Sequence, residues 1–259
     1  MSSRAVANWV AFKTILRKEI RRFTRIWAQT ILPPMITMSL YLLIFGNLIG
    51  PRIGEMDGYK YIDYIAPGII MMSVITNSYS NVVSSFFGAR FQRFIEEMLV
   101  SPTPMYLILL GYIGGGVARG LVVGFAVSLV TFLFADLHVQ NVPITLMVVV
   151  LTSVLFSLAG FVNALFAKNF DDIAIVPTFI LTPLTYLGGV FYSIHLLPEF
   201  WQKVSMLNPI LYMVNAFRYG ILGVSDIRIE VAFGIICLFI VILYSACLGM
   251  LNRGVNIRS

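Results

Sequence analysis

Reactive side chains are scarce in this chain. Its 259 residues include two cysteines and two histidines, and only 12% are charged. His138 and His195 stand apart, with no H-E-x-x-H, no G-x-S-x-G and no cluster of cysteine with histidine, so the common zinc and nucleophilic constellations are missing. The chain does not read as an enzyme, and no metal site is expected. A G-x-x-x-x-G-K-[ST] loop is also missing, which excludes binding and hydrolysing ATP through a P-loop of its own. Acidic residues lie in loops or near the ends of apolar runs, with Asp63 and Glu230 the nearest exceptions, whereas ion-coupled carriers place carboxylates inside their spans. If this chain moves a substrate, its energy comes from another polypeptide. Cys237 and Cys247 fall in one apolar run, about 15 Å apart along a helix, too far to pair with each other. Seven Lys/Arg precede residue 26 without a short apolar core and small-residue cleavage site, so no removable leader is expected.

What is abundant is apolar surface. Hydrophobic residues make up 59% of the chain and the mean hydropathy is +0.89, far from soluble domains, of which about a quarter is charged. The sequence predicts an all-α membrane protein, one transmembrane domain over 1–259. Runs near 31–50, 64–87, 105–134, 143–167, 173–192 and 230–251 each approach the ~20 residues that cross a bilayer, giving six transmembrane helices. One side then collects twelve basic residues: Arg4, Lys13, Arg17, Lys18, Arg21, Arg22, Arg25, Arg90, Arg93, Lys168, Arg253 and Arg258. The other holds five: Arg52, Lys60, Lys203, Arg218 and Arg228. The positive-inside rule places both termini in the cytoplasm, and the net charge of +6 reads as orientation in a bilayer, not as affinity for nucleic acid.

Three segments punctuate the spans. Within 8–28, Trp9, Phe12, Leu16, Ile20, Phe23 and Trp27 share a helical face about 80° wide, with cations opposite. Such a helix lies in the headgroup layer, as a membrane anchor or also as a docking site for a cytoplasmic partner. Within 90–99, Phe91, Phe94, Ile95, Met98 and Leu99 form one face of a short amphipathic helix that Pro102 and Pro104 end. From Asp172 to Gly223, an apolar span, a Pro/Gly break, a short amphipathic stretch and a second apolar run suggest a crossing followed by a hairpin dipping back into the bilayer. Tyr192 and Trp201 are candidate interfacial anchors there.

Polar groups inside the spans mark either helix contacts or a pathway. The second span carries Ser73, Asn77, Ser80, Asn81 and Ser84 on one side. The fifth carries Thr178, Thr182, Thr185 and Gly189, interrupted by Pro177 and Pro183. In the third, Gly116, Gly120 and Gly124 recur every four residues, allowing close approach of another backbone. Arg119 falls near mid-depth, as a structural hub or a pathway residue, with Asn163 as a candidate neighbour.

These features come together in a resemblance. QTILPPMITMSLYLLIFGNLIG, APGIIMMSVITNSYSNV, FQRFIEEMLVSPTP and LTPLTYLGGVFYSIHLLPEFWQKVSMLNPILYMVNAFRYG, in this order, resemble the membrane (permease) subunit of type-two ATP-binding-cassette exporters. The likeness is to bacterial inner-membrane permeases related to exporters of lipo-oligosaccharides. It implies a half-transporter that pairs with a second copy of itself and carries two copies of a cytoplasmic ATP-binding-cassette subunit. ATP and Mg would be used by that partner, with no cofactor bound by this chain. By this resemblance, Arg90, Phe91, Arg93, Phe94, Glu96 and Glu97 belong to a coupling helix, with a second ATPase contact at Lys168, Asp171 and Asp172. Relatives have a Gly-Thr-Leu-Glu type sequence where this chain reads Phe94, Ile95, Glu96 and Glu97, leaving open which acid meets the ATPase. The family's path lies at the dimer interface between the first, second and fifth spans, implicating Ser73, Asn77, Ser80, Asn81, Ser84, Thr178, Thr182, Thr185 and Tyr186. A re-entrant outer hairpin over 193–223 would gate it through Leu196, Leu197 and Phe200. Charge reversal at Arg90 and Arg93 together is expected to weaken ATPase docking and leave membrane insertion intact. The competing readings are an ATP-independent channel or carrier and a non-transporting scaffold.

Overall fold

The computed structural model describes residues 3–256; Arg258, counted above on the basic side, lies outside them. Helix α1 (Ser3–Arg25) breaks at Ile26, and α2 (Trp27–Tyr41) continues through a π-helical stretch, Leu42–Ile49, into α3 (Gly50–Ile53) as a single rod. A small hairpin follows, β1 (Glu55–Met56) antiparallel to β2 (Tyr59–Lys60), with Glu55 opposite Lys60 and Met56 opposite Tyr59. Its turn residues, Asp57 and Gly58, both have positive φ (51° and 82°), the geometry that Asp-Gly supplies in two-residue hairpins. Then come α4 (Tyr61–Phe91), α5 (Phe94–Val100), α6 (Met105–Thr131) and α7 (Val142–Phe166). Helix α8 (Phe170–Val176) passes through a π-helical turn, Pro177–Leu181, into α9 (Thr182–Tyr186). A loop leads to α10 (Glu199–Met206), α11 (Pro209–Leu222) and α12 (Ile229–Arg253).

The described residues are all-α apart from the hairpin. Four rods are long and apolar enough to cross a membrane: Trp27–Ile53, Met105–Thr131, Val142–Phe166 and Ile229–Arg253. Helix α4 is longer but carries Asp63, Asn77, Asn81 and several serines. Protein surrounds it, since 23 of its 31 residues are buried, so its polar side chains meet other helices before lipid. The fifth expected span, 173–192, is helical only as far as Tyr186. Pro177 and Pro183 lack the N–H that an α-helix needs, the carbonyl of Pro177 accepts from both the main-chain N–H and the hydroxyl of Thr182 (2.9 Å for the hydroxyl), and Gly189 turns the chain away at φ 69°.

Helix α4 is the axis of the bundle, packed between α6 and α7. The four-residue glycine period predicted close approach, and the structure has it: Gly116 faces Val82 and Ser157, and Gly120 faces Ser78 and Ser153. At Gly160 of α7, an added Cβ would stand 2.6 Å from the Tyr79 carbonyl oxygen, so only glycine fits without separating the helices. Phe86 closes the core on Phe161 and Tyr112, ring centroids 4.1 and 5.2 Å away.

Helix α1 is more than a surface anchor. Ile15 lies on Gly111, Leu16 on Gly114 and Glu19 on Gly115, so the contacts advance in step and α1 packs along α6. The expected apolar face is therefore divided: Phe23 is buried, whereas Trp9 and Trp27 are exposed.

Candidate functional site

Two candidate regions lie at opposite ends of α4. At the α5 end, Arg93 adopts a left-handed φ of 63°, which lets the chain turn from α4 into α5. Buried Ile95 pins α5 to the bundle, while Phe94, Glu96 and Glu97 are exposed. Arg90 behaves differently. Its guanidinium donates to the carbonyl of Ala164 (2.9 Å) and to those of Leu165 and Ala167, and it lies over the Phe87 ring. The last carbonyls of a helix have no internal partners and carry partial negative charge, so Arg90 caps α7. Arg90 is thus an internal clamp, and reversing its charge would remove this cap whatever the effect on membrane insertion.

The second expected contact arrives beside the first. Asn169 and Asp172 form a capping box: Asn169 Oδ1 accepts from the Asp172 N–H (2.8 Å), and Asp172 Oδ2 accepts from the N–H groups of Lys168 (2.8 Å) and Asn169 (3.3 Å). This leaves Lys168 and Asp171 exposed at the start of α8. Phe170 then stacks edge-on to Phe87 and Phe91, 5.0 and 5.1 Å away. Between these groups opens a cleft of ≈ 460 Å³ lined by Phe87, Arg90, Phe91, Arg93, Lys168 and Asn256, among others. Segments about 75 residues apart in sequence thus build one concave, cationic surface.

The polar stripe of α4 divides into two. Ser73, Asn77 and Asn81 are buried within the protomer, whereas Thr76, Ser80 and Ser84 follow an outward line. Asn77 Oδ1 accepts from Arg119 (3.2 Å), and Asn81 accepts from Arg22 through both Oδ1 (2.8 Å) and its main-chain carbonyl (2.7 Å). The suggested neighbour of Arg119, Asn163, instead donates to the Ile173 carbonyl (3.2 Å). On the fifth rod Thr178 and Thr182 are exposed, Thr185 is buried, and Tyr186 meets Tyr41 hydroxyl to hydroxyl (3.4 Å).

At the opposite end, Leu196 and Phe200 are exposed and Leu197 is half-buried. The chain carrying them is tied down by groups that sequence reasoning missed. Arg218 is fully buried on α11; it donates to the carbonyls of Gly189 (2.6 Å) and Tyr64 (3.3 Å) and lies 4.0 Å above the Tyr64 ring. Asp226 accepts from Ser193 Oγ (2.9 Å) and the Ile194 N–H (3.1 Å). A cation in the middle of an apolar α11 was the available signal for Arg218. Glu19 was also missed: its carboxylate is fully buried, accepts from Ser85 (2.7 Å) and lies 3.6 Å from both Lys18 and Arg22.

Rods this apolar, around a central helix with buried polar side chains that ends in a cationic cleft, define a multi-pass membrane protein. The chain belongs to the ABC-2 type transporter family, whose model matches residues 10–222. It is similar to the inner membrane transport permease YadH of Escherichia coli (strain K12), with 59% identity over 97% of this chain and 98% of the relative. More distantly it is similar to nodulation protein J of Sinorhizobium fredii (strain NBRC 101917 / NGR234), with 27% identity over 95% of this chain and 93% of the relative. Nodulation protein J of Rhizobium leguminosarum bv. viciae is 23% identical over 95% and 94%. The chain is thus a transport permease of the inner membrane, and its family implies an ATP-binding-cassette partner.

Proposed function

We propose that the chain is the membrane half of an ATP-driven exporter, working as a dimer with two copies of a cytoplasmic ATPase that grips α5 and the start of α8. The observation that carries this reading is the shared cleft: two segments distant in sequence converge on one surface, with exposed Phe91, Phe94, Arg93 and Lys168 available to a soluble partner. A short helix fixed to two long rods, α4 and α6, transmits a push along both. ATP closure in the partner then tilts the bundle between inward-open and outward-open states, provided that ATP binds the two states unequally. ATP and Mg belong to the partner; this chain contributes the path.

In this reading there are six crossings, with α4 as the second and α8–α9 as a short, broken fifth. Both termini face the cytoplasm, and 193–223 forms the re-entrant outer hairpin whose Leu196, Leu197 and Phe200 close the path. Outward hydroxyls of Ser80, Ser84, Thr178 and Thr182 line the path with Tyr186, at the dimer interface. Internally bonded Asn77, Asn81 and Thr185, with buried Ser73 beside them, hold its wall in place. Such a surface suits an amphiphilic cargo. Co-expression with its ATP-binding-cassette subunit tests the proposal. Purification is expected to give two permeases with two ATPases by mass, and Arg93→Glu is expected to deplete the ATPase without loss of permease. A permease that purifies only as a monomer, with no ATPase bound, would refute it.

A further inference from the structure

We propose that Arg22 and Arg119 form a binding site for the phosphate of a membrane amphiphile in the leaflet at the α5 end. The two guanidiniums come from different helices, α1 and α6, and reach carboxamide oxygens one turn apart on α4, Asn81 and Asn77. Their acceptors lie about 6 Å apart along α4, so the two like charges repel. The acid at this cluster is Glu19, which already serves Lys18, Arg22 and Ser85, so one carboxylate is set against three cations. The excess positive charge is not sealed in, because Arg22 and Arg119 are half-exposed and Arg22 reaches the exposed hydroxyl of Ser84 (3.3 Å).

Depth argues for a headgroup. Asn81 stands about 30 Å along α4 from Tyr61, one hydrocarbon thickness. Gly46 packs on Ile62 at the far end of the same bundle, and Trp27, an exposed aromatic at the start of its rod, lies about 28 Å below Gly46. Trp27, Arg22 and Asn81 therefore share one level, that of an interfacial aromatic, and Arg119 reaches towards it from about one turn deeper, at Asn77. A guanidinium's fork of donors suits phosphate oxygens, and an anion beside both relieves their mutual repulsion.

The test is a titration of dansyl-labelled phosphatidic acid into the detergent-purified full chain, read by energy transfer from tryptophan. Arg119→Gln and Ser84→Glu are each expected to weaken binding about tenfold or more, the second by placing a carboxylate beside Arg22. Arg17→Gln, on the exposed basic side of α1, is expected to change nothing, and phosphatidylcholine and millimolar inorganic phosphate are expected not to compete. Wild-type binding by Ser84→Glu, which sets a carboxylate directly beside Arg22, overturns the proposal even if Arg119→Gln fails to fold. Equal weakening by Arg17→Gln would reduce the effect to diffuse attraction, and competition by inorganic phosphate would move the ligand to the aqueous phase; either result overturns the assignment.

Discussion

Gly160→Ala tests the packing that holds the cleft at the α5 end in register. Its new Cβ would stand 2.6 Å from the Tyr79 carbonyl oxygen, with the carbonyl carbon at 3.3 Å and Cα at 3.4 Å. Those atoms are backbone and cannot rotate away, so α4 and α7 must part by roughly 0.6–0.8 Å, a gap that forfeits a quarter or more of each dispersion contact across it. Overpacking of this kind costs about 1–3 kcal/mol, against a gain of about 1 kcal/mol for replacing glycine by alanine inside a helix. The balance is a net cost of up to about 2 kcal/mol. Gly234→Ala on α12 is the internal control, because a Cβ at that position would have no neighbouring atom within 4 Å; only the helix-propensity gain applies there. In detergent, followed by tryptophan fluorescence, Gly160→Ala is expected to lower the unfolding midpoint by up to roughly 8 °C while Gly234→Ala raises it by a few degrees. Equal midpoints for the two variants would refute the close approach of α4 and α7.

Arg90→Met removes the cap on the carbonyls of Ala164, Leu165 and Ala167 and is expected to cost about 2–4 kcal/mol of stability, read as a lowered unfolding midpoint, whereas Arg93→Glu leaves that midpoint unchanged. Asn169→Ala breaks one side of the capping box and is expected to cost about 1 kcal/mol locally, seen as faster amide exchange over 170–172 with the rest of the bundle unchanged. Arg218→Met unties the Gly189 and Tyr64 carbonyls, so a protease added from the hairpin side should cut the 187–196 loop faster than in wild type; unchanged cleavage would remove Arg218 from the account of the outer gate.

Hydropathy alone located the apolar rods, because a helix that faces lipid must declare it residue by residue. Proline told of the broken fifth rod, although its end at Tyr186 depends on Arg218 and Gly189 meeting, which no local pattern encodes. The Asp57-Gly58 hairpin was written plainly in the chain and went unread. Partners across helices were the hidden part. Arg119 meets Asn77 and not Asn163 because the Gly116–Gly120 contacts set the register of α4 against α6, a quantity that composition does not carry. Arg90 looked like a free coupling cation for the same reason: its cap on α7 exists only because two helix ends finish side by side. Glu19 was obscured by the basic residues around it in α1, where its burial comes from glycines almost a hundred residues away.

Photo-cross-linking from position 94 tests the central claim, since Phe94 is exposed on α5 and Phe179, exposed on the fifth rod, provides the comparison. With a benzophenone side chain at each position in cells, the account predicts a product at 94 in which mass spectrometry finds an ATP-binding-cassette subunit, and none at 179. Labelling of Phe94→Cys by an impermeant thiol reagent added from outside the inner membrane, with no ATPase adduct at 94, would contradict it.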